Sequence, residues 1–322
     1  MKEKRAMRLP PTADGIAEAA RLLRDGGLVA FATETVYGLG ADAASPTAVA
    51  KIYAAKGRPS FNPLIAHVPD GVAARREGRF PAEAEQLAAA FWPGPLTLVV
   101  PVAETGSVCE LARAGLDTIA LRAPAHLVAH ALLTEVGRPV AAPSANRSGR
   151  VSPVTADHVM EDLGDCIDAV LDCGPCSVGL ESTIVACLGA RPALLRPGGV
   201  PRAEIERVVG PLEAAPSGAI SAPGMLSSHY APRARLRLGA ASLERGEAGL
   251  DFGRQFHDIA SDVPCLDLSR AGDLAEAAAN LYSGLRRLDA SGVSVIAVAP
   301  IPPFGLGEAI MDRLRRAAAP RS

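Results

Sequence analysis

Lys56 and Arg58 stand two residues apart in Lys56-Gly57-Arg58-Pro59-Ser60-Phe61-Asn62-Pro63, and the apolar run Leu64-Ile65-Ala66-His67-Val68 follows at once. A cation pair at the point where a helical pattern stops and a strand begins is placed to offset the charge of an anion. The chain carries 29 Arg but only four Lys, two of them in the N-terminal tail, so a lysine at 56 points to a need for a compact ammonium. Lys51 reads as an ordinary helix-surface residue and weakens that argument. A positive helix C-terminus complementing the dipole accounts for Lys56 equally well. Other cations and hydroxyls also fall at strand ends: Thr35 after 28–32, Arg122 after 118–121, Ser144 and Asn146 after 139–143, Ser182 before 184–186 and Arg196 after 194–195. Such a set suits a polyanionic ligand, with positive charge against phosphates and hydrogen bonds to orient them. Each has a plainer reading: a turn stabilised by Thr and Gly for 33–40, a solvated loop for 144–153, and a core histidine for His67.

Those residues need a scaffold, and the pattern supplies one. Thr12 caps a helix with apolar positions Ile16, Ala19, Ala20, Leu22 and Leu23, ended by Gly26-Gly27. Ser45-Pro46 starts a second helix with Ser at N-cap and Pro at N1, ending at Gly57. Further helices are expected from Pro81 to Phe91 and over 126–136, and strands at 28–32, 64–68, 96–100, 118–124, 139–143, 169–171, 184–186 and 194–195. This mixture predicts an α/β domain over 1–210. Residues 211–233 turn rich in Pro, Gly, Ser and Ala and read as an interdomain linker, although Met225, His229 and Tyr230 are unusual in a passive spacer. Strands at 235–238, 265–268 and 293–298, with helices at 273–290 and 305–318, predict a small second α/β domain over 234–322. The stretch 240–262 shows little pattern.

Composition limits the chemistry. Hydrophobic content of 48% and charge of 21% are globular, and a net charge of −2 gives no global case for nucleic-acid binding. The charged start leads into no apolar signal region, and Pro93, Pro95 and Pro101 interrupt the uncharged stretch 86–103, so no membrane association and a cytoplasmic location are expected. Cys173-Gly174-Pro175-Cys176 has the residues of a redox motif but is followed by Ser-Val-Gly and a strand rather than a helix, which predicts a structural turn. Neither a P-loop nor a dinucleotide-binding glycine fingerprint is present.

Six motifs in order carry a resemblance: Thr33-Glu34-Thr35-Val36-Tyr37-Gly38-Leu39; Lys56-Gly57-Arg58-Pro59 with Asn62-Pro63-Leu64; Trp92-Pro93-Gly94-Pro95-Leu96-Thr97; Pro143-Ser144-Ala145-Asn146 with Ser148-Gly149; Glu181-Ser182-Thr183; and Arg196-Pro197-Gly198. Together they resemble the YrdC-like domain family. Ala222-Pro223-Gly224-Met225 with His229-Tyr230-Ala231-Pro232, then Tyr282 and Gly305-Leu306-Gly307-Glu308, are similar to the linker and C-terminal domain of its two-domain form, the L-threonylcarbamoyladenylate synthases. That resemblance implies a twisted mixed sheet with flanking helices, and a linker closing over the active site to join a smaller Rossmann-like domain. It also implies synthesis of threonylcarbamoyl-AMP and pyrophosphate from L-threonine, bicarbonate or CO₂, and ATP, for N6-threonylcarbamoylation of adenosine 37 in tRNA by downstream transfer machinery. By the same resemblance Lys56, Arg58, Ser144 and Asn146 form a catalytic set. Thr35, His67, Arg122, Ala142 and Ser182 receive threonine, and Arg58, Asn62, Thr118, Ser144, Ser152, Arg196 and Tyr230 receive ATP. Mg²⁺ would be held through the phosphates, with no organic cofactor. A second reading, an RNA-binding module on the same basic concavity, has little support from a slightly acidic chain with 4% aromatics.

Overall fold

The computed structural model describes residues 5–214, 229–257 and 263–320. The linker motif Ala222-Pro223-Gly224-Met225 and the first four residues of the charged start lie outside them. In chain order the first part runs β1 (Met7–Leu9), α1 (Ala13–Arg24), β2 (Val29–Ala32), β3 (Tyr37–Asp42), α2 (Pro46–Lys56) and β4 (Ile65–His67). Then come α3 (Gly71–Glu77), α4 (Ala82–Phe91), β5 (Leu96–Pro101), β6 (Thr118–Arg122), α5 (Leu127–Val136) and β7 (Val140–Ala141). The last group is α6 (Ala156–Leu163), β8 (Ala169–Leu171), β9 (Thr183–Ala186), β10 (Ala193–Arg196), α7 (Arg202–Val209) and β11 (Glu213–Ala214). These eleven strands form one mixed sheet in the order β1-β8-β2-β3-β7-β4-β6-β5-β9-β10-β11.

Strand alternation divides the core. Val29 and Phe31 of β2 face α1 and α5, joining Ala19, Ala20, Leu23, Leu132 and Leu133. Ala30 and Ala32 face the opposite layer, with Leu39, Val49, Ile52 and Leu87. Period-two side chains on a strand buried on both faces give this separation directly. Local signals set the helices: Thr12 accepts from the Gly15 N–H, Ser45 accepts from Ala48, and Gly57 closes α2 in a left-handed conformation at φ 59°. Residues 33–36 are the turn of a β2–β3 hairpin, with Ala32 opposite Tyr37, the plainer of the two readings of that stretch. Two parts depart from expectation. The strand at 139–143 shortens to β7, because its flanking prolines offer no N–H to the ladder. The first sheet also extends to residue 214, past the boundary at 210.

After the linker, β12 (Arg235–Leu238), β13 (Ala248–Asp251), β14 (Cys265–Asp267), α8 (Leu274–Ala290), β15 (Val295–Val298) and α9 (Leu306–Ala318) form a second unit. Its sheet, in order β12-β15-β13-β14, is wholly parallel. β13 sits in the stretch that showed little pattern, since Ala-Gly-Leu-Asp has one large apolar residue. The α/β reading with two units, the second Rossmann-like, holds. Among the described residues, no helix is long and apolar enough to cross a membrane.

Candidate active site

The pocket opens over the middle of the large sheet, where strands of opposite direction meet. In the ladder His67 pairs with Arg122 and, on its other side, with Val140; Ala142 N–H donates to Ile65. Thr35, His67, Arg122, Ala142 and Ser182 all line the pocket, as do Arg58, Ser144, Arg196 and Tyr230. Residues far apart in sequence are thus gathered because the strand order interleaves distant segments. The pocket is a cleft partly open to solvent, with a cavity volume of about 50 Å³.

Arg122 is held by the hairpin turn. Its Nη2 donates to Glu34 Oε1 at 2.6 Å, Nη1 to Thr35 Oγ1 at 2.9 Å and Nε to Gly94 O at 3.3 Å. Both members of the Arg122–Glu34 pair are buried. Three of five guanidinium N–H groups are committed, and the remaining two can meet a carboxylate. In the sequence the only sign of Glu34's part is a carboxylate between two threonines beside a strand rich in apolar residues. Arg196 approaches from β10 and donates to Ser182 O at 2.9 Å and Ser182 Oγ at 3.2 Å. Gly198 makes that approach possible, since a Cβ there would stand 2.4 Å from Glu181 O and from Thr183 N. Burial pushes the pKa of Arg196 below its usual value. Burial also takes Arg58 down to about 10, still protonated at neutral pH.

Lys56 stands behind the pocket rather than on its wall. Its Nζ donates to Ser144 O at 2.5 Å and, more closely, to Asn146 O, while Ser148 N–H returns a bond to Lys56 O at 2.8 Å. The ammonium therefore reaches a different segment, not the carbonyls of its own helix, and dipole capping does not describe it. Burial, then the charge of Arg58, pushes its pKa well below the lysine range. The Asn146 carboxamide donates to Arg147 O and Arg150 O, both at 2.8 Å, and leaves Oδ1 buried without a partner. The 144–153 segment is thus a braced loop with backbone ties to Tyr37 at both ends. Asn62 is fully buried with both amide atoms unpartnered, and it does not line the pocket. Thr118 opens β6, four residues before Arg122, and the pocket does not reach it.

Ser152 is also enclosed, donating to Glu181 Oε1 at 2.6 Å. Glu181 further accepts from Tyr282 at 2.9 Å and from Arg313 Nε at 2.7 Å. Burial alone would raise its pKa; the charges of Arg313 and Arg196 outweigh that and take it down to about 2. Tyr230 is buried at φ 64°, a backbone state that costs an aromatic residue about 1–3 kcal/mol. Cys173 and Cys176 lie in a turn as free thiols, and burial raises both, Cys173 to about 11, the opposite of a reactive redox pair.

His67 is buried with Nδ1 unpartnered, and burial with the nearby Arg122 charge lowers its pKa to about 3. Its imidazole is neutral in the folded state, whereas the unfolded chain protonates it near pH 6.5. Below that pH the unfolded state binds more protons, so stability falls as pH falls toward 3. At pH 5 this one group is expected to cost about 2 kcal/mol relative to pH 7. His67→Asn should reduce the difference in unfolding free energy between pH 7 and 5, measured by urea titration, by that amount; an unchanged difference would assign the acid sensitivity elsewhere.

Comparison with known proteins adds to this geometry. A family model described as telomere recombination (Sua5_yciO_yrdC) matches residues 21–198, and the threonylcarbamoyl-AMP synthase C-terminal domain matches 200–319. Threonylcarbamoyl-AMP synthase of Bacillus subtilis is 42% identical over 95% of this chain and 93% of that protein. The Pyrococcus abyssi protein of the same name is 43% identical over 94% of each. The crystal structure of P. abyssi Sua5 complexed with L-threonine superposes with a TM-score of 0.88 at 38% identity, covering 97% of both chains. Both units are thus matched together in relatives that cover nearly the whole chain, and the chain belongs to the Sua5/YciO/YrdC family in its form with a threonylcarbamoyl-AMP synthase C-terminal domain.

Proposed function

We propose that this protein is an ATP-dependent nucleotidyltransferase making threonylcarbamoyl-AMP and pyrophosphate from L-threonine, bicarbonate or CO₂, and ATP. The observation that carries the reading is the convergence of three guanidiniums, Arg58, Arg122 and Arg196, on one pocket; Glu34 answers Arg122 and the lining carboxylate, Glu181, is already paired with Arg313, so positive charge remains in excess. A pocket with that excess of positive charge selects a polyanion. Hydroxyls of Thr35, Ser144 and Ser182 supply orientation.

In this scheme the threonine amine adds to CO₂ and loses a proton, giving a carbamate. A carbamate oxygen then attacks the α-phosphorus, the bond to the bridging oxygen breaks, and pyrophosphate leaves. Carbamate and triphosphate repel one another, so the protein's contribution is approach and charge rather than a strong base. Arg122, oriented by Glu34 and Thr35, receives the threonine carboxylate, and neutral His67 with the Ala142 backbone bounds the amine. Arg58 and Arg196 face the phosphates. The assignment of Asn62, Thr118 and Ser152 to ATP rests on the family resemblance alone, since none of the three lines the pocket. His229 and Tyr230 bring the end of the linker into the wall of this cleft, and their displacement on substrate entry would widen it.

Mg²⁺ would travel with the triphosphate and offset its charge. A metal of that kind is held chiefly by phosphate oxygens, with few protein atoms in its shell. Ser144 Oγ and the unpartnered Asn146 Oδ1 are the protein atoms suited to its shell. The product would act in the cytoplasm, consumed by a separate machinery that moves its threonylcarbamoyl group to tRNA. The direct test is pyrophosphate release from ATP with L-threonine and bicarbonate supplied or withheld. Strict dependence on both is expected; turnover indifferent to threonine would overturn the reading.

A further inference from the structure

We propose that the second domain supplies positioning residues to the ATP half of the site, Tyr282 and Arg313, which fix Glu181 and Tyr230. The inference rests on the function proposed above and assigns two side chains of that domain to the same reaction. Tyr282 on α8 and Arg313 on α9 are fully buried, and both point at Glu181 across the domain boundary. Glu181 accepts from Ser152, so a shift of its carboxylate moves a residue assigned to the ATP half. Arg313 Nη2 also donates to Pro197 O at 2.9 Å, the residue that follows Arg196.

The same two side chains seat Tyr230. The Arg313 guanidinium lies 5.1 Å from the centre of the Tyr230 ring, and the Tyr282 ring stacks on it at 5.9 Å and 23°. His229 N–H donates to Arg316 O on α9 at 3.2 Å, and Ala231 N–H donates to Gly149 O at 2.8 Å. The left-handed backbone of Tyr230 is therefore held from the second domain on one side and from the 144–153 loop on the other. Among the described residues, no side chain of the second domain bonds to Thr35, His67 or Arg122, which belong to the threonine half. A purely structural interface would not make that distinction. The Arg202–Glu308 ion pair, also between the domains but part-exposed and away from the pocket, provides the control.

The experiment compares Tyr282→Phe, Arg313→Lys and Arg202→Ala with the parent chain. It measures ATP affinity by calorimetry, threonine affinity by the same means, steady-state pyrophosphate release and thermal midpoint. Tyr282→Phe removes one hydrogen bond to a charged group while keeping the ring stack, and should raise the KM for ATP about tenfold. Arg313→Lys keeps the charge but loses the fork, and should lower kcat/KM for ATP about thirtyfold. Threonine affinity is expected to stay within about twofold in both, and Arg202→Ala to match the parent in every kinetic constant. Unchanged ATP binding in both site variants would overturn the proposal. So would parallel losses of ATP and threonine affinity that simply follow the thermal midpoint. A parent chain without threonine-dependent turnover would instead overturn the function itself, while calorimetry would still report on the nucleotide.

Discussion

Arg58→Ala is expected to lower kcat/KM for ATP about 1,000-fold in threonine-dependent pyrophosphate release, with threonine affinity and thermal midpoint close to the parent values. Arg58 lines the pocket and is oriented by its own loop, donating Nε to Asn62 O at 3.3 Å and Nη2 to Pro63 O at 3.0 Å. Those two bonds leave three N–H groups available to a ligand. No carboxylate pairs with it among the described residues, so its charge enters the free protein uncompensated, and the substrate's phosphates would complete it. Truncation removes a small share of folding energy, two bonds to carbonyls that water can replace at a half-buried position. Arg58→Lys should recover about one to two orders of magnitude, because a point charge returns without the fork. Normal turnover in Arg58→Ala would remove Arg58 from the reaction.

Much of this arrangement could be read from the chain before any coordinates. Caps and breakers fixed α1 and α2, since Thr12, Ser45, Pro46 and Gly57 act within four residues of themselves. Hydroxyls and cations after apolar runs pointed to strand ends, and strand ends are where the sheet gathers them. What escaped the reading depends on partners far away. Glu34 looked like turn chemistry until Arg122, 88 residues on, supplied its cation. Glu181 and Arg313 are separated by 132 residues and by a domain boundary, and neither carries a local sign of the other. β13 was invisible because its burial comes from neighbouring strands rather than from its own side chains.

Position 58 also shows what spacing alone cannot divide. Lys56 and Arg58 form one motif in sequence, yet only Arg58 lines the pocket. A helix turn and the left-handed Gly57 send the two side chains to different tasks. The loop that Lys56 grips contains Ser144, which does line the pocket, so its influence on phosphate passes through that loop as well as through charge.

Lys56→Met follows from that division and carries the second large effect, a loss of about 100- to 1,000-fold in kcat/KM for ATP with little change in global stability. Methionine fills a similar volume and removes an ammonium that is 3% exposed and has no carboxylate in hydrogen-bond contact. Leaving the carbonyls of Ser144 and Asn146 without their donor costs about 1–3 kcal/mol, and relief from burying the charge offsets much of it. Burial holds the Lys56 pKa down, and phosphate charge beside it would raise it again, so ATP binding should take up protons at pH values between the free and bound pKa. Calorimetry across a pH series, in two buffers of different ionisation enthalpy at each pH, measures that uptake, which should vanish in Lys56→Met. If parent and variant release the same buffer-dependent heat, Lys56 keeps one protonation state throughout and serves only to brace the loop. A variant that turned over ATP normally would deny it even that role.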